Sequence, residues 1–228
     1  MASTFFRALH DRVQRARALG AREVARRLRD RVLRHVWWSE QHVWYVADTH
    51  AVRGTVPDGF RLRRVVDRRS LPGDVSSVGL RVATAVAWLA VGGELWVLEN
   101  LASSELAFAC WIFRERAPAL AARGGWFRVP PACAVLEDSF TAVSYRGRGL
   151  APAAWRCICA DLAASGVRAL LTKVEVANTP SRRACEKAGF REVAAMRFRR
   201  RLFLRKVHVT GSGTPVASLR QALAAESG

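Results

Sequence analysis

Ser139–Ala151, read as SFTAVSYRGRGLA, decides how the rest of the chain is read. Its first residues close an apolar run, Cys133–Thr141 (CAVLEDSFT), with the character of a strand. Its last residues open a helix, Leu150–Ser165, which stops at Gly166. Between them lies Arg146-Gly147-Arg148-Gly149, and Pro152 falls in the first helical turn, where its missing N–H costs nothing. The two glycines allow backbone dihedrals that a side chain forbids and let a ligand approach the main chain closely. Free N–H groups at the helix start point outward, and the macrodipole there favours an anion. The turn reads as a pyrophosphate cradle with Arg146 and Arg148 adding charge. It is not a Walker loop, because no Gly-Lys-Ser/Thr follows. It is not the GxGxxG fingerprint either, since the third residue after Gly149 is Pro152. An ordinary tight turn uses the same residues, so the turn alone does not decide the chemistry.

Two later segments change that weighting. Ala169–Val176 (ALLTKVEV) reads as a buried strand and runs into Ala177-Asn178-Thr179-Pro180-Ser181. A short helix, Thr179–Ala188, then closes in Glu186-Lys187-Ala188-Gly189-Phe190. The YRGRGLA turn, the Val-x-x-Asn strand end and the EKAGF helix end, in this order and spacing, resemble the GNAT superfamily of acyl-CoA-dependent N-acyltransferases. The likeness is motif-level from about Val135 to Val193 and extends in topology over roughly Gly59–Val209. It implies an α/β (α+β) fold: a mixed, largely antiparallel central sheet, splayed at the cofactor site and flanked by helices.

The resemblance also implies roles for single residues. Acyl-CoA (acetyl-CoA or a short-chain relative) would lie in a split between Cys133–Thr141 and Ala169–Val176. Its pyrophosphate would be held by N–H groups from Arg146, Gly147, Arg148, Gly149, Leu150 and Ala151. The pantetheine arm would run along Phe140, Thr141 and Val143, with Asn178 and Ser181 beside it. Asn178 is equally suited to capping a helix. A thioester is already activated, so the chemistry asks for proximity, a base for the amine proton and a donor for the thioester oxygen. Glu137 and Asp138 are the candidate bases. Neighbours in a strand face opposite sides, so only one can face the cleft, and Glu137 is preferred. The backbone N–H near Ser139 and Phe140 is the candidate oxyanion donor. Many family members carry a tyrosine just before the EKxGF segment to protonate the leaving thiolate, and here Cys185 stands in its place. That thiol is either a weak substitute acid, with an ordinary pKa of about 8.5, or a small packing residue.

The remaining sequence bounds the setting. The chain has 228 residues, half of them hydrophobic and a quarter charged, enough for a packed core and too apolar for wholesale disorder. Its net charge is +18, almost all from arginine. A field of that sign attracts phosphates, anionic lipid or an acidic carrier; no recognition-helix or RNA-binding motif points to specific nucleic acid. Five dispersed cysteines, without CxxC or Cys/His spacing, indicate neither a disulfide framework nor a metal, and fit a reducing cytoplasm. The apolar uncharged stretch Val82–Gly93 has 12 residues, against roughly 20 for a membrane span. Arg7, His10, Asp11 and Arg12 interrupt the N-terminus before a signal-peptide core can form.

Three regions are expected. Residues 1–57 form a basic amphipathic helical extension with an aromatic cluster, Trp37, Trp38, Trp44 and Tyr45. Ten arginines face three acids between Met1 and Arg34, which suits either packing on the main domain or peripheral contact with an anionic membrane or acidic carrier. Residues 58–209 form the acyltransferase domain, and residues 210–228 a linker with a short, dispensable helical tail. Glu94–Glu99 and Leu106–Arg114 read as adjacent strands, and Phe190–Val209 as β-rich without a Gly or Pro to mark a hairpin. Arg197, Arg199 and Arg205 would share one strand face, as a solvated edge or a docking surface. Trp88, Trp96, Trp111 and Trp126 fill the core or line an acceptor pocket. The five histidines are scattered and read as surface or satisfied core. The function expected is transfer of an acetyl or short acyl group from CoA to a primary amine. A catalytically weak acyl-CoA-binding module, recruited through the basic arm, is the alternative.

Overall fold

Apolar side chains on both faces of a strand mean that both faces are covered, and Leu106–Phe113 (LAFACWIF) is buried at every position. It is the fourth strand, β4, of an eight-stranded sheet in a computed structural model that describes residues 37–119, 125–201, 204–212 and 214–225. The strands are β1 (Trp37–Asp48), β2 (Phe60–Val65), β3 (Glu94–Asn100), β4, β7 (Cys133–Thr141), β8 (Ala169–Glu175), β9 (Arg191–Arg201) and β10 (Leu204–Gly211). Their order is β10-β9-β1-β8-β7-β4-β3-β2. β5 (Arg116–Pro118) and β6 (Trp126–Arg128) form a separate two-stranded ribbon. β2, β3, β4 and β7 pair antiparallel in succession, β7 and β8 run parallel, and β8 is antiparallel to β1. The sheet is mixed and mostly antiparallel, with helices α1 (Val82–Ala90), α2 (Leu150–Ala164), α3 (Thr179–Lys187) and α4 (Thr214–Ala225) around it. Two compact units can be distinguished. The larger holds residues 41–197 and 207–228; the described part of the smaller comprises Trp37–Glu40 and segments of Phe198–Lys206.

Strand parity assigns the faces. Phe108 of β4 meets Trp155 of α2 edge-on at 6.3 Å, and Trp155 meets Phe190 at 6.0 Å. Trp111 and Phe113, of opposite parity, meet Trp88 of α1 at 5.2 and 5.4 Å, and Phe113 meets Trp126 of β6 at 5.7 Å. α2 therefore covers one face of β4, while α1 and the β5–β6 ribbon cover the other. Trp88, Trp111 and Trp126, left between two roles by the sequence, are parts of one aromatic layer on this second face.

Two expectations are corrected. Trp37–Asp48 is a strand rather than helical extension, and it runs between β8 and β9. His42–Ala47 are all buried, so the Trp44-Tyr45 pair is sheet core. The C-terminal tail is no loose linker. β10 continues to Gly211, and α4 buries Val216 and Leu219 (1% exposed each) and packs against β6. The basic pattern of residues 1–36 lies outside the described residues, as does the side chain of Arg205; Arg197 and Arg199 are exposed.

Candidate functional site

The ladder between the two parallel strands is short. β7 and β8 pair from Cys133↔Ala169 to Leu136↔Thr172 and no further. Beyond that rung β7 stays with β4 as far as Phe108↔Thr141, while β8 stays with β1 as far as His42↔Glu175. Two strands held by different neighbours diverge, and a wedge opens at the middle of the sheet. Thr172 Oγ1 donates to the Leu136 carbonyl at 2.9 Å and pins the last closed rung. Just past it, β7 bulges. Ala109 faces Phe140 and Trp111 faces Glu137, so Asp138 and Ser139 together oppose Cys110. Asp138 sits at φ 46°, and the extra residue of such a bulge drops out of the ladder, freeing main-chain groups beside the wedge.

The wedge leads to the start of α2. After Thr141 a single 3-10 turn, Val143–Tyr145, brings the chain to Arg146. Gly147 and Gly149 have φ of 78° and 72°, the left-handed region that glycine enters freely, and a Cβ on either would meet no atom within 4 Å. Gly149 is the N-cap of α2, with no capping side chain. Among the described residues, the N–H groups of Gly147, Arg148, Gly149, Leu150 and Ala151 donate to no backbone carbonyl, whereas that of Arg146, expected in the cradle, donates to Val143 at 3.3 Å; along α2 the first to donate is Ala153, to Gly149 at 3.2 Å. Open space, unused donors and a helix N-terminus converge here. Arg146 donates through Nε to the Thr141 carbonyl at 3.2 Å, and its guanidinium lies 5.4 Å from the Phe140 ring. The Arg148 guanidinium lies 5.1 Å from the ring of Tyr145, whose hydroxyl donates to Glu105 at 2.7 Å. Neither arginine has a carboxylate partner among the described residues, so both charges are available to an anion. Val143 is strongly exposed, and Phe140 and Thr141 are half-buried.

On the far side of the wedge, Asn178 caps α3: its Oδ1 accepts from the Ser181 N–H at 3.2 Å, which leaves the amide NH2 to other partners. Capping and ligand contact are therefore compatible at this residue. Cys185, by contrast, is buried (1% exposed), and burial pushes its thiol up to about 12. That environment suits a packing side chain and not a proton donor.

The two carboxylates differ sharply. Asp138 and Ser139 are exposed on the bulge, and partial desolvation raises the Asp138 carboxyl above its ordinary range. Glu137 is buried and shares the aromatic face with Trp111, its partner in register. Its Oε1 is paired with the Lys173 ammonium, which also donates to the Pro118 carbonyl at 2.9 Å and sits 5.5 Å from the Trp44 ring. Burial raises the Glu137 carboxyl against the opposing pull of Lys173. Lys173 was not among the residues singled out from the sequence. The available signal was a lysine, one of three in an arginine-rich chain, inside the apolar run ALLTKVE. His42 was read only as one of five scattered histidines, surface or satisfied core. It is buried near Lys173, and burial with that neighbouring charge lowers its pKa. No group of three or more His, Cys, Asp or Glu suited to a metal occurs among the described residues, and none of the described helices is long and apolar enough to cross a membrane.

Residues 87–190 match the family model described as the acetyltransferase (GNAT) family. No curated protein matches the sequence. Similar solved structures include a GNAT-family protein from Novosphingobium aromaticivorans, 21% identical over 77% of this chain and 66% of its own, with a TM-score of 0.46. A GCN5-related N-acetyltransferase from Sphaerobacter thermophilus is 14% identical over 81% and 57%, with a TM-score of 0.48. A GNAT-family acetyltransferase from Colwellia psychrerythraea is 15% identical over 78% and 57%, also at 0.48. The chain thus spans less than two thirds of the length of these proteins. The matched segment builds the wedge, the α2 N-terminus and α3, and over it the chain is similar to the GNAT acetyltransferase family, whose members use acetyl-CoA as co-substrate.

Proposed function

We propose that this chain transfers an acetyl or short acyl group from CoA to a primary amine by direct attack within a ternary complex. The observation that carries this reading is the divergence of β7 and β8 after Leu136↔Thr172, with the donor-rich turn Arg146–Ala151 beside it. The residues present fit acyl-CoA. Arg148–Ala151 N–H groups and the charges of Arg146 and Arg148 suit a diphosphate, and the opened edge of β7 at Phe140–Thr141, with Val143, suits the pantetheine amides. The free amide of Asn178 and the adjacent Ser181 face the same need from α3.

When bound, the thioester supplies an activated acyl group, so that forming the amide N–C bond releases the CoA thiol. Glu137 accepts the proton that the attacking amine gives up, through Oε2, because Oε1 is committed to Lys173. A carboxylate raised by burial is a better base than an exposed one and is closer to the working pH. Main-chain N–H groups at the Asp138–Ser139 bulge stabilise the negative charge on the acyl oxygen. Cys185 takes no part, and the departing thiolate takes its proton from water. The aromatic layer of Trp88, Trp111 and Trp126, on the face that carries Glu137, is the side from which the amine approaches.

Two measurements test the reading. Acetyl-CoA at saturating concentration raises the melting temperature of the full chain, and a thiol-release assay over a panel of primary amines detects turnover. A flat melting temperature at millimolar acetyl-CoA refutes binding. Binding without thiol release on any amine refutes transfer to the class proposed.

A further inference from the structure

Lys173 has a more definite setting than any other cation in the described chain. Its side chain is 1% exposed, and that of its partner Glu137 is 5% exposed. The two meet one residue beyond the last rung between β7 and β8, so the pair sits at the apex of the wedge, where the strands part. Three contacts from three elements hold the ammonium: Glu137 Oε1 on β7, the Pro118 carbonyl on β5 and the face of Trp44 on β1. A carboxylate removed from water without such a partner takes up a proton. The groups packed around the pair differ in charge. Burial and Lys173 itself lower the His42 imidazole on β1; Glu175 on β8 and Asp138, next to Glu137 on β7, are acids; β5 contributes the Pro118 carbonyl and carries Arg116, whose side chain is exposed.

We propose that Lys173 is a positioning residue for the transfer reaction: by occupying Glu137 Oε1 it keeps the buried carboxylate charged and presents Oε2 alone to the incoming amine. This rests on the reading of Glu137 as the base. Lys173 itself touches no substrate, and its effect passes entirely through Glu137. A merely structural ion pair would also matter to stability, but it would leave the pH dependence of turnover where it was.

The test compares the full-length wild type with Lys173→Met, Lys173→Arg and Glu137→Gln. Infrared difference spectra, wild type minus Glu137→Gln, report the protonation state of this one carboxyl directly. The expected result is a carboxylate in the wild type at pH 7 and a protonated carboxyl in Lys173→Met. In thiol release, Lys173→Met is expected to move the acid limb of kcat/KM upward by about one pH unit or more, which is about tenfold lost at pH 7 and regained at higher pH. KM for acetyl-CoA stays unchanged, and Lys173→Arg, which keeps the charge, recovers part of the loss. A protonated Glu137 in the wild type at pH 7 overturns the proposal even if Lys173→Met does not fold, and so does an unshifted acid limb in a folded Lys173→Met. Should the wild type bind acetyl-CoA but acetylate no amine, the reading of Glu137 as base fails; the infrared comparison still decides whether Lys173 controls its charge.

Discussion

Replacing Gly149 by alanine separates the two jobs assigned to the turn before α2. Gly149 sits at φ 72°, ψ 15°, and a Cβ there would touch nothing within 4 Å, so no clash contributes. The cost to the free protein is the backbone strain of an L-residue in the left-handed region, roughly 1–2 kcal/mol. For a chain of this size that lowers the melting temperature by about 2–8 °C. The cost to binding has a different origin. The new methyl enters open space next to residues whose N–H groups are unused, and a diphosphate bound to those groups would meet it. Loss of one hydrogen bond to a charged phosphate is worth about 1.5–3 kcal/mol, or roughly a 10- to 150-fold rise in Kd for acetyl-CoA. Calorimetric titration and thermal melts on the same preparation read the two effects. Gly149→Asn is the informative companion, since asparagine tolerates this conformation. It should recover most of the stability and none of the affinity. If Gly149→Ala melts lower but binds acetyl-CoA with an unchanged Kd, these main-chain donors are not the diphosphate site.

Further outcomes follow from the same geometry. Glu137→Gln should lower kcat by about 10²- to 10⁴-fold while Kd for acetyl-CoA stays the same; a drop confined to KM would remove Glu137 as base. In the wild type, turnover should rise with pH through an inflection above the ordinary glutamate value of about 4.3, because burial raises this carboxyl and only its ionised form accepts a proton. The same raised value gives stability that is present below the unfolded-chain pKa and is lost as pH rises through the folded one, and Asp138 acts in the same direction. Thr172→Val should cost about 1–3 kcal/mol in chemical denaturation by leaving the Leu136 carbonyl without its partner, and an unchanged midpoint would show that this bond does not hold the closed rung. Thiol labelling of the native protein, read by peptide mass, should reach only the half-buried Cys133 and Cys157; Cys185→Ala should retain activity within about twofold, whereas an acid role predicts losses of about 10²-fold or more.

What the sequence made legible was mostly local. Cys133–Thr141 was delimited at both ends because glycines and prolines punctuate its approach and an Arg-Gly turn ends it, and it is a strand over those same residues. α2 was equally plain, bracketed by Gly149 and Gly166. β1 was misread for a physical reason. A strand buried on both faces shows no alternation, and the one here follows directly on a long basic helical pattern. The helical end of the tail was legible but its packing was not, because Val216 and Leu219, which it buries, sit one turn apart in a segment otherwise rich in alanine and polar residues. At the candidate site, the turn before α2 was readable as a turn because consecutive residues of the sequence, Gly147 and Gly149 among them, set its backbone. The Lys173–Glu137 pair was not, because it exists only once β7 and β8 are set in parallel register, 36 residues apart in the chain. For Cys185, where residue type alone allowed two roles, burial weighs toward packing.

The placement of β1 has a consequence for how the molecule is made. His42–Asp48 bond to Ala169–Glu175, partners more than 120 residues further along, so the middle of the sheet cannot close until most of the polypeptide has left the ribosome. Until then an intensely apolar segment, with Val43 to Ala47 destined for full enclosure, has both hydrogen-bonding edges uncovered. Such long-range pairing slows folding and lengthens exposure to mispairing. Nascent-chain yield in the cell should therefore depend on chaperone supply more steeply than the stability of the finished protein would suggest.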